Sequence, residues 1–182
     1  EGISLVGSDG KFIYTSPAAE RIHGYDCQEV VGTVAQDRIH PDDWLMLKQH
    51  LDSIGDVPGA SACAQYRVKH KNGQWIWIEA TLTSMLHEPG INAVVVNFRD
   101  ISTRKLAEAD LQASEELYRS MVSALDEGIV ILDSNLAVVA CNASAERILG
   151  VGRGQLIGRT NLDPSWRTIY EDGSDFSPET HP

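Results

Sequence analysis

Two short β-rich apolar runs, "ISLV" (3–6) and "KFIY" (11–14), open the chain, and the turn cluster Ser8-Asp9-Gly10 between them predicts a β-hairpin. Ser16-Pro17 then sets an N-cap before a proline at the first helical position, and Gly24 stands where that helix should end. Asp26 and Glu29 have the capping-box spacing of another short helix before Gly32. Pro41 opens a longer helix, with Asp42 and Asp43 at its positive dipole end, Leu45, Leu47, Leu51 and Ile54 as apolar contacts, and Gly55 as its stop. After Gly59 the pattern turns to strands. "SACAQYRVKH" (61–70) is followed by the two-residue hairpin signal Asn72-Gly73, by "QWIWIEATLTSML" (74–86), by the turn His87-Glu88-Pro89-Gly90 and by "INAVVVNFRD" (91–100). The order β-β-α-α-α-β-β-β within about 100 residues predicts an α+β fold, a five-stranded antiparallel sheet with helices on one face.

Strand alternation assigns faces. On the last strand Val94, Val96 and Phe98 share one side and Asn97 and Arg99 the other, so the apolar set is expected inside. The same rule turns Trp75 and Trp77 onto the outer face of the sheet, where two large aromatics need a cover such as the following helix, a further segment or another subunit. Beyond the sheet, Ala107, Leu111, Ser114, Tyr118, Met121 and Leu125 follow a 4-3-4-3-4 spacing, a narrow seam suited to coiled-coil pairing. With Ser102 as cap and Gly128 as stop, this helix is predicted to run about 24 residues. Arg104 and Lys105 fall in its first turn, where the dipole disfavours cations, so at least one of them is expected to pair with Asp100 or Glu108.

The pattern then starts again. "AAERIHGYDCQEVVG" (18–32) returns as "SAERILGVGRGQLIG" (144–158), and residues 1–32 match 127–158 at ten positions, where unrelated stretches would share roughly two. This divides the chain into a first domain at 1–103, a connecting helix at 104–126 and the opening part of a second copy at 127–182. At about 56 residues that copy is shorter than most domains and reads as truncated.

Charge and candidate chemistry narrow the function. The net charge of −11, with no basic stretch longer than Arg104-Lys105, offers no source of phosphate neutralisation, so nucleic acid is not expected as a partner. No apolar run approaches the ~18 residues of a membrane span and no leader opens the chain, so this stretch is read as cytoplasmic without membrane contact. Cys27, Cys63 and Cys141 lie far apart without a CxxC pair, against a zinc site or a disulfide framework, and are read as buried free thiols. His40-Pro41-Asp42-Asp43 contains metal-ligand residue types, yet a proline-started helix with N-terminal aspartates accounts for them without an ion. The six histidines form no nucleophile arrangement, so neither a catalytic residue nor a metal ligand is assigned.

This element order, with "HPDD" before the long helix and "YRVKHKNGQWIWIEA" leading on to "VNFRDISTRKLAEADL", resembles a PAS domain with its C-terminal PAC half. The likeness covers residues 1 to about 103 in full, but only the opening hairpin and short helices of the second copy. "EDGSDFSPETHP" (171–182) is similar to a loop that some members carry before their long helix. The resemblance implies a cavity between sheet and helices and, by analogy, turns Ile76, Ile78, Ala80, Leu82, Tyr66 and Val68 inward. The candidate pocket is therefore Tyr66, Val68, Ile76, Ile78, Val94, Val96 and Phe98.

Flavin-binding relatives use strand amides and a cysteine after the Gly32-like position, whereas this chain has Val68, Ile78, Phe98 and the thiol-free "GTVAQDR". Heme-binding relatives place a histidine where this chain aligns Lys48, with His50 about 200° round the helix. No cofactor is expected; a small, largely apolar ligand and a simply packed core both remain open, with the Tyr66 hydroxyl the one polar group to name. Asp100-Ile101-Ser102 matches the family's Asp-Ile-Thr junction, and Leu111, Tyr118, Met121 and Leu125 mark the helix seam. The implied function is a sensory and signal-relay module, not itself an enzyme, within a larger bacterial signalling protein such as a histidine kinase or diguanylate cyclase. Its partners would be a second copy, through the connecting helix or the outer sheet face, and a downstream output domain. The alternative is a ligand-free dimerisation scaffold; a metal-dependent hydrolase would rest on "HPDD" alone.

Overall fold

A computed structural model describes residues 1–55 and 57–160, and the chain divides into two compact units, Glu1–Asp110 and Leu111–Pro182. In the first, β1 (Gly2–Gly7) pairs antiparallel with β2 (Phe12–Thr15), and Asp9 closes the turn by accepting the Lys11 N–H at 3.0 Å. α1 (Pro17–His23) is capped by Ser16, whose hydroxyl accepts from the N–H of Ala19 and of Ile3, so the cap also fastens the helix to β1. α2 (Cys27–Val30) has the full capping box between Asp26 and Glu29. A 3₁₀ turn at Ala35–Arg38, which the sequence pattern did not predict, leads into α3 (Pro41–Gly55).

β3 (Ser61–Lys69), β4 (Trp75–Met85) and β5 (Ala93–Asp100) complete an antiparallel sheet in the order β2-β1-β5-β4-β3, the five-stranded α+β arrangement expected. Its inner face carries Tyr66, Ile78, Leu82, Val96 and Phe98, which form the core with Leu47 and Ile54 of α3. Leu45, expected among the apolar contacts of α3, is instead 67% exposed, because it lies away from the Leu47–Leu51–Ile54 side.

The β3–β4 connection differs from the two-residue turn expected of Asn72-Gly73. The His70 N–H donates to the Gln74 carbonyl and the Gly73 N–H to the His70 carbonyl, giving a three-residue loop in which Gly73 takes the left-handed position at φ 89°. The Asn72 side chain is occupied in accepting the Gln74 N–H at 3.0 Å. Neither Trp75 nor Trp77 belongs to the core cluster. The His40 ring meets Trp75 edge-on at 4.7 Å, while Arg67 and Lys105 each lie 5.4 Å from the Trp77 ring centre, so the cover is partly cationic. The thiols are not buried: Cys63 is exposed on β3, beside Thr81, and Cys27 and Cys141 are half-buried.

α4 (Ser102–Ala124) follows β5 and carries no buried residue. It stops before Gly128, the predicted end, and that glycine lies close against Ala145: a Cβ there would lie 3.1 Å from the Ala145 Cα. The described part of the second unit continues with β6 (Val130–Leu132), β7 (Val138–Cys141), α5 (Ala143–Leu149) and α6 (Arg153–Leu156).

The sequence repeat returns as repeated geometry. Asn142 accepts from the N–H of Ala145 and Ile129 as Ser16 does from Ala19 and Ile3, and Gly150 and Gly158 take φ 68° and 83° where Gly24 and Gly32 take 75° and 84°. Gly2 mirrors Gly128, since a Cβ on it would lie 2.9 Å from the Ala19 Cα. The stretch 171–182, compared above with a family loop, lies outside the described residues. Among the described residues no helix is long and apolar enough to cross a membrane.

Candidate functional site

The first unit holds a cavity of about 760 Å³ between the inner sheet face and the helices, within the range of small-molecule sites. It persists because short valines at 94 and 96 face it from β5 while α3 is tethered at both ends. At its start, Asp43 accepts from the Arg67 backbone N–H at 2.8 Å and from the guanidinium at 2.9 and 2.7 Å; at its end, the Ser84 hydroxyl donates to the Gly55 carbonyl at 3.4 Å. The guanidinium beside Asp43 holds its carboxyl below the ordinary 3.8. This is where the "HPDD" residues act: Asp42 also reaches Arg67, at 3.4 Å, and among the described residues no group of three or more ligand-type side chains could hold a metal.

Of the seven candidate pocket residues, Tyr66, Val68, Ile78, Val94, Val96 and Phe98 line this cavity; Ile76 does not belong to the lining and packs, partly buried, against the core. Burial pushes the Tyr66 phenol up, so it is neutral. Sequence reasoning missed the helix side of the wall. Trp44, Leu47 and Leu51 face the cavity from α3, whereas Lys48, aligned above with the heme-ligand position, is exposed, since it lies about 100° round the helix from Leu47. His50 is outside the wall, its Nδ1 2.9 Å from the Met46 carbonyl oxygen.

His23 and Arg38 were also missed, and both belong to the wall. The His23 Nδ1 accepts the Tyr25 N–H at 3.1 Å, and its Nε2 is buried with no hydrogen-bond partner. Burial, aided by Arg38 and His70 and opposed by Glu20, lowers its pKa from 6.5 to about 4, so the ring is neutral near pH 7. The repeat held the available signal: the second copy has Leu149 at the matching position, so His23 is a polar departure from an otherwise shared helix.

The strands that wall the cavity also lead out of it. At Asp100-Ile101-Ser102, β5 turns into α4; the Ile101 N–H donates to the Trp77 carbonyl at 2.9 Å, and the Trp77 N–H to the Ser102 hydroxyl at 3.0 Å. Ser102 is thus the first residue of α4, pinned to β4, rather than its cap. Asp100 supplies the capping acceptor, taking the Ser102 N–H at 2.7 Å, and of the two acidic residues expected to pair with the basic first turn it is not the one that does. Glu108 does, with Arg104 and Lys105 each at 3.6 Å.

The larger anchor is Glu79 on β4, which no sequence signal singled out. It accepts from Gln65 of β3 at 2.8 Å, from Arg99 of β5 at 2.8 Å and from Arg104 of α4 at 3.2 Å, and these donors bring its pKa from 4.5 to about 2. Along α4 and just past its end, Leu111, Tyr118, Met121 and Leu125 are all exposed.

Comparison with known proteins agrees with this geometry. Two family profiles described as the PAS fold match residues 12–94 and 116–171. Among curated proteins, the sensor histidine kinase TmoS of Ectopseudomonas mendocina is 27% identical over 127 residues, covering 68% of this chain and 13% of that protein. The oxygen sensor protein DosP of Escherichia coli K12 is 24% identical over 156 residues, covering 82% and 18%. The aryl hydrocarbon receptor nuclear translocator homolog of Drosophila melanogaster is 28% identical over 87 residues, covering 48% and 14%, so the chain spans less than a fifth of each of these relatives.

Among solved structures, a sensory box histidine kinase/response regulator from Burkholderia thailandensis E264 superposes with a TM-score of 0.51 at 24% identity, over 65% of this chain and 90% of that one. The PAS-B domain of Drosophila melanogaster Cycle, with bound ethylene glycol, does so at 0.50 and 19%, over 55% and 99%. With a sheet of this topology closed over a cavity, and with both profile matches, the chain belongs to the PAS family.

Proposed function

We propose that the first unit is a sensory and relay module of a larger bacterial signalling protein, with an output such as a histidine kinase or a diguanylate cyclase. It takes a small, mostly apolar ligand in the cavity rather than flavin or heme, and it binds and transmits without catalysing a reaction. The observation that carries this reading is the shared wall: Val94, Val96 and Phe98 line the cavity on the same strand that ends at Asp100 and continues as α4. Occupancy that shifts β5 against β4 would reach α4 through the Ser102–Trp77 hydrogen bond and the Glu79–Arg104 pair.

The exposed Leu111, Tyr118 and Met121 on α4 support pairing of this helix with a second copy, and thereby a dimeric relay. Native mass spectrometry of the whole chain tests both parts: a dimer carrying a bound small molecule is expected. A monomer without ligand, combined with unchanged output when Val96→Phe fills the cavity in the full-length protein, would overturn the reading.

A further inference from the structure

Among the described residues, one buried side-chain nitrogen or oxygen has no hydrogen-bond partner: the Nε2 of His23. Its surroundings fix what it offers. His23 is the last residue of α1, and its carbonyl accepts the Lys71 N–H at 2.9 Å, which pins the backbone to the β3–β4 loop. The ring is held by the Tyr25 N–H on Nδ1, so the neutral imidazole carries its proton on Nε2 and is a donor there. A buried donor without an acceptor is expensive and rare, and calls for an explanation.

The charged and titratable groups acting on this ring are Arg38, His70 and Glu20. Arg38 is engaged with the Thr33 hydroxyl, the Glu29 carbonyl and the face of Tyr25, so it is held beside His23 as a fixed cation. That setting favours an oxygen acceptor and disfavours an ammonium group. Elsewhere the lining includes Phe12, Val30, Leu47 and Phe98, apolar surface that suits a hydrocarbon body.

We propose that the cavity selects an apolar small molecule bearing a carbonyl oxygen, and that His23 is the specificity-determining residue, its Nε2–H donating to that oxygen. This rests on the cavity being a ligand site, as proposed above. It predicts discrimination by functional group rather than by size, because the compound lacking the carbonyl leaves the donor unpaired.

The test uses two molecules of matched shape, 2-acetylnaphthalene and 2-ethylnaphthalene, titrated into the whole chain by calorimetry. The ketone is expected to bind about tenfold more tightly than the hydrocarbon, the worth of one buried hydrogen bond. His23→Leu should bind both at the hydrocarbon's affinity, and His23→Gln, which keeps a donor, should restore part of the preference. In nitrogen-15 spectra of the unsubstituted protein, the His23 Nε2 resonance should move with the ketone and not with the hydrocarbon, a readout that needs no variant to fold. Equal binding of the two compounds, or a preference that survives in His23→Leu, overturns the role of His23 and leaves the cavity reading standing. Binding of neither compound overturns both.

Discussion

Replacing Asp43 with alanine removes the tether that holds the start of α3 to the edge strand β3, and with it one wall of the cavity. The carboxylate receives three charge-assisted hydrogen bonds from Arg67, at 2.8, 2.9 and 2.7 Å. At about 1.5–3 kcal/mol each they would sum to more than single substitutions cost. The sum overcounts. The guanidinium side chain is 26% exposed, keeps Asp42 at 3.4 Å and regains water, and the edge-strand N–H meets water once the carboxylate is gone.

What is not recovered is about one charge-assisted hydrogen bond plus the ~0.3–1 kcal/mol interaction of an anion with the N-terminus of α3, together about 2–3 kcal/mol. A domain stable by roughly 5–15 kcal/mol survives that loss. Urea unfolding followed by tryptophan fluorescence, to which Trp44, Trp75 and Trp77 of the first unit contribute, should show the midpoint lowered by about 1–2 M. Asp43→Asn, which keeps an acceptor without the charge, should lose about half as much.

The pH dependence has a definite sign. Because the folded-state pKa lies below the ordinary 3.8, the carboxylate's contribution is fully present above that value and is lost as pH falls through the lower folded value. The gap between the unsubstituted protein and Asp43→Ala should therefore be flat at neutral pH and shrink once pH falls below about 3.8. A loss under about 0.5 kcal/mol at pH 7, or a double-mutant cycle with Arg67 giving no coupling, would refute the tether.

Leu136 occupies at φ 61° the turn position that Gly10 holds at φ 77° in the first copy, and it is half exposed. Leu136→Gly should stabilise the second unit by about 0.5–1 kcal/mol, since the left-handed penalty of ~1–2 kcal/mol exceeds the entropic cost of glycine; faster amide exchange in β6 and β7 would contradict this. Glu79→Gln should leave the global unfolding midpoint nearly unchanged while speeding amide exchange at the start of α4, because Arg104 loses its anion there. With the Glu79 pKa lowered from 4.5 to about 2, its contribution is present above pH 4.5 and fades only as pH falls through about 2, so the effect should be constant from pH 5 to 8; exchange at Ser102–Leu106 equal to that of the unsubstituted protein would remove Glu79 from the junction.

The sequence by itself determined the local events of this chain. Ser16-Pro17, Gly24, the Asp26–Glu29 box and Pro41 act within a turn of their own position, through backbone dihedrals and nearby N–H groups, so the helices α1 to α3 start where the residues say. Period-two alternation was equally local and placed Val94, Val96 and Phe98 on the inner face. The repeat carried the caps of the second copy as well, because Asn142 can accept the same two N–H groups as Ser16.

Tertiary structure decided what depends on partners distant in the chain. Asp43 reads as a dipole complement until Arg67, 24 residues on, claims it, and Glu79 reads as an exposed strand residue until Arg99 and Arg104 converge on it. Asp100 took the capping role expected of Ser102, because β5 ends at Asp100 opposite Ile78 and leaves the Trp77 N–H of β4 to the Ser102 hydroxyl. Whether the interior would pack solid or leave a cavity was likewise beyond any residue pattern. It turns on the distance at which α3 is held from the sheet, and that distance is set by long-range hydrogen bonds at both ends of the helix.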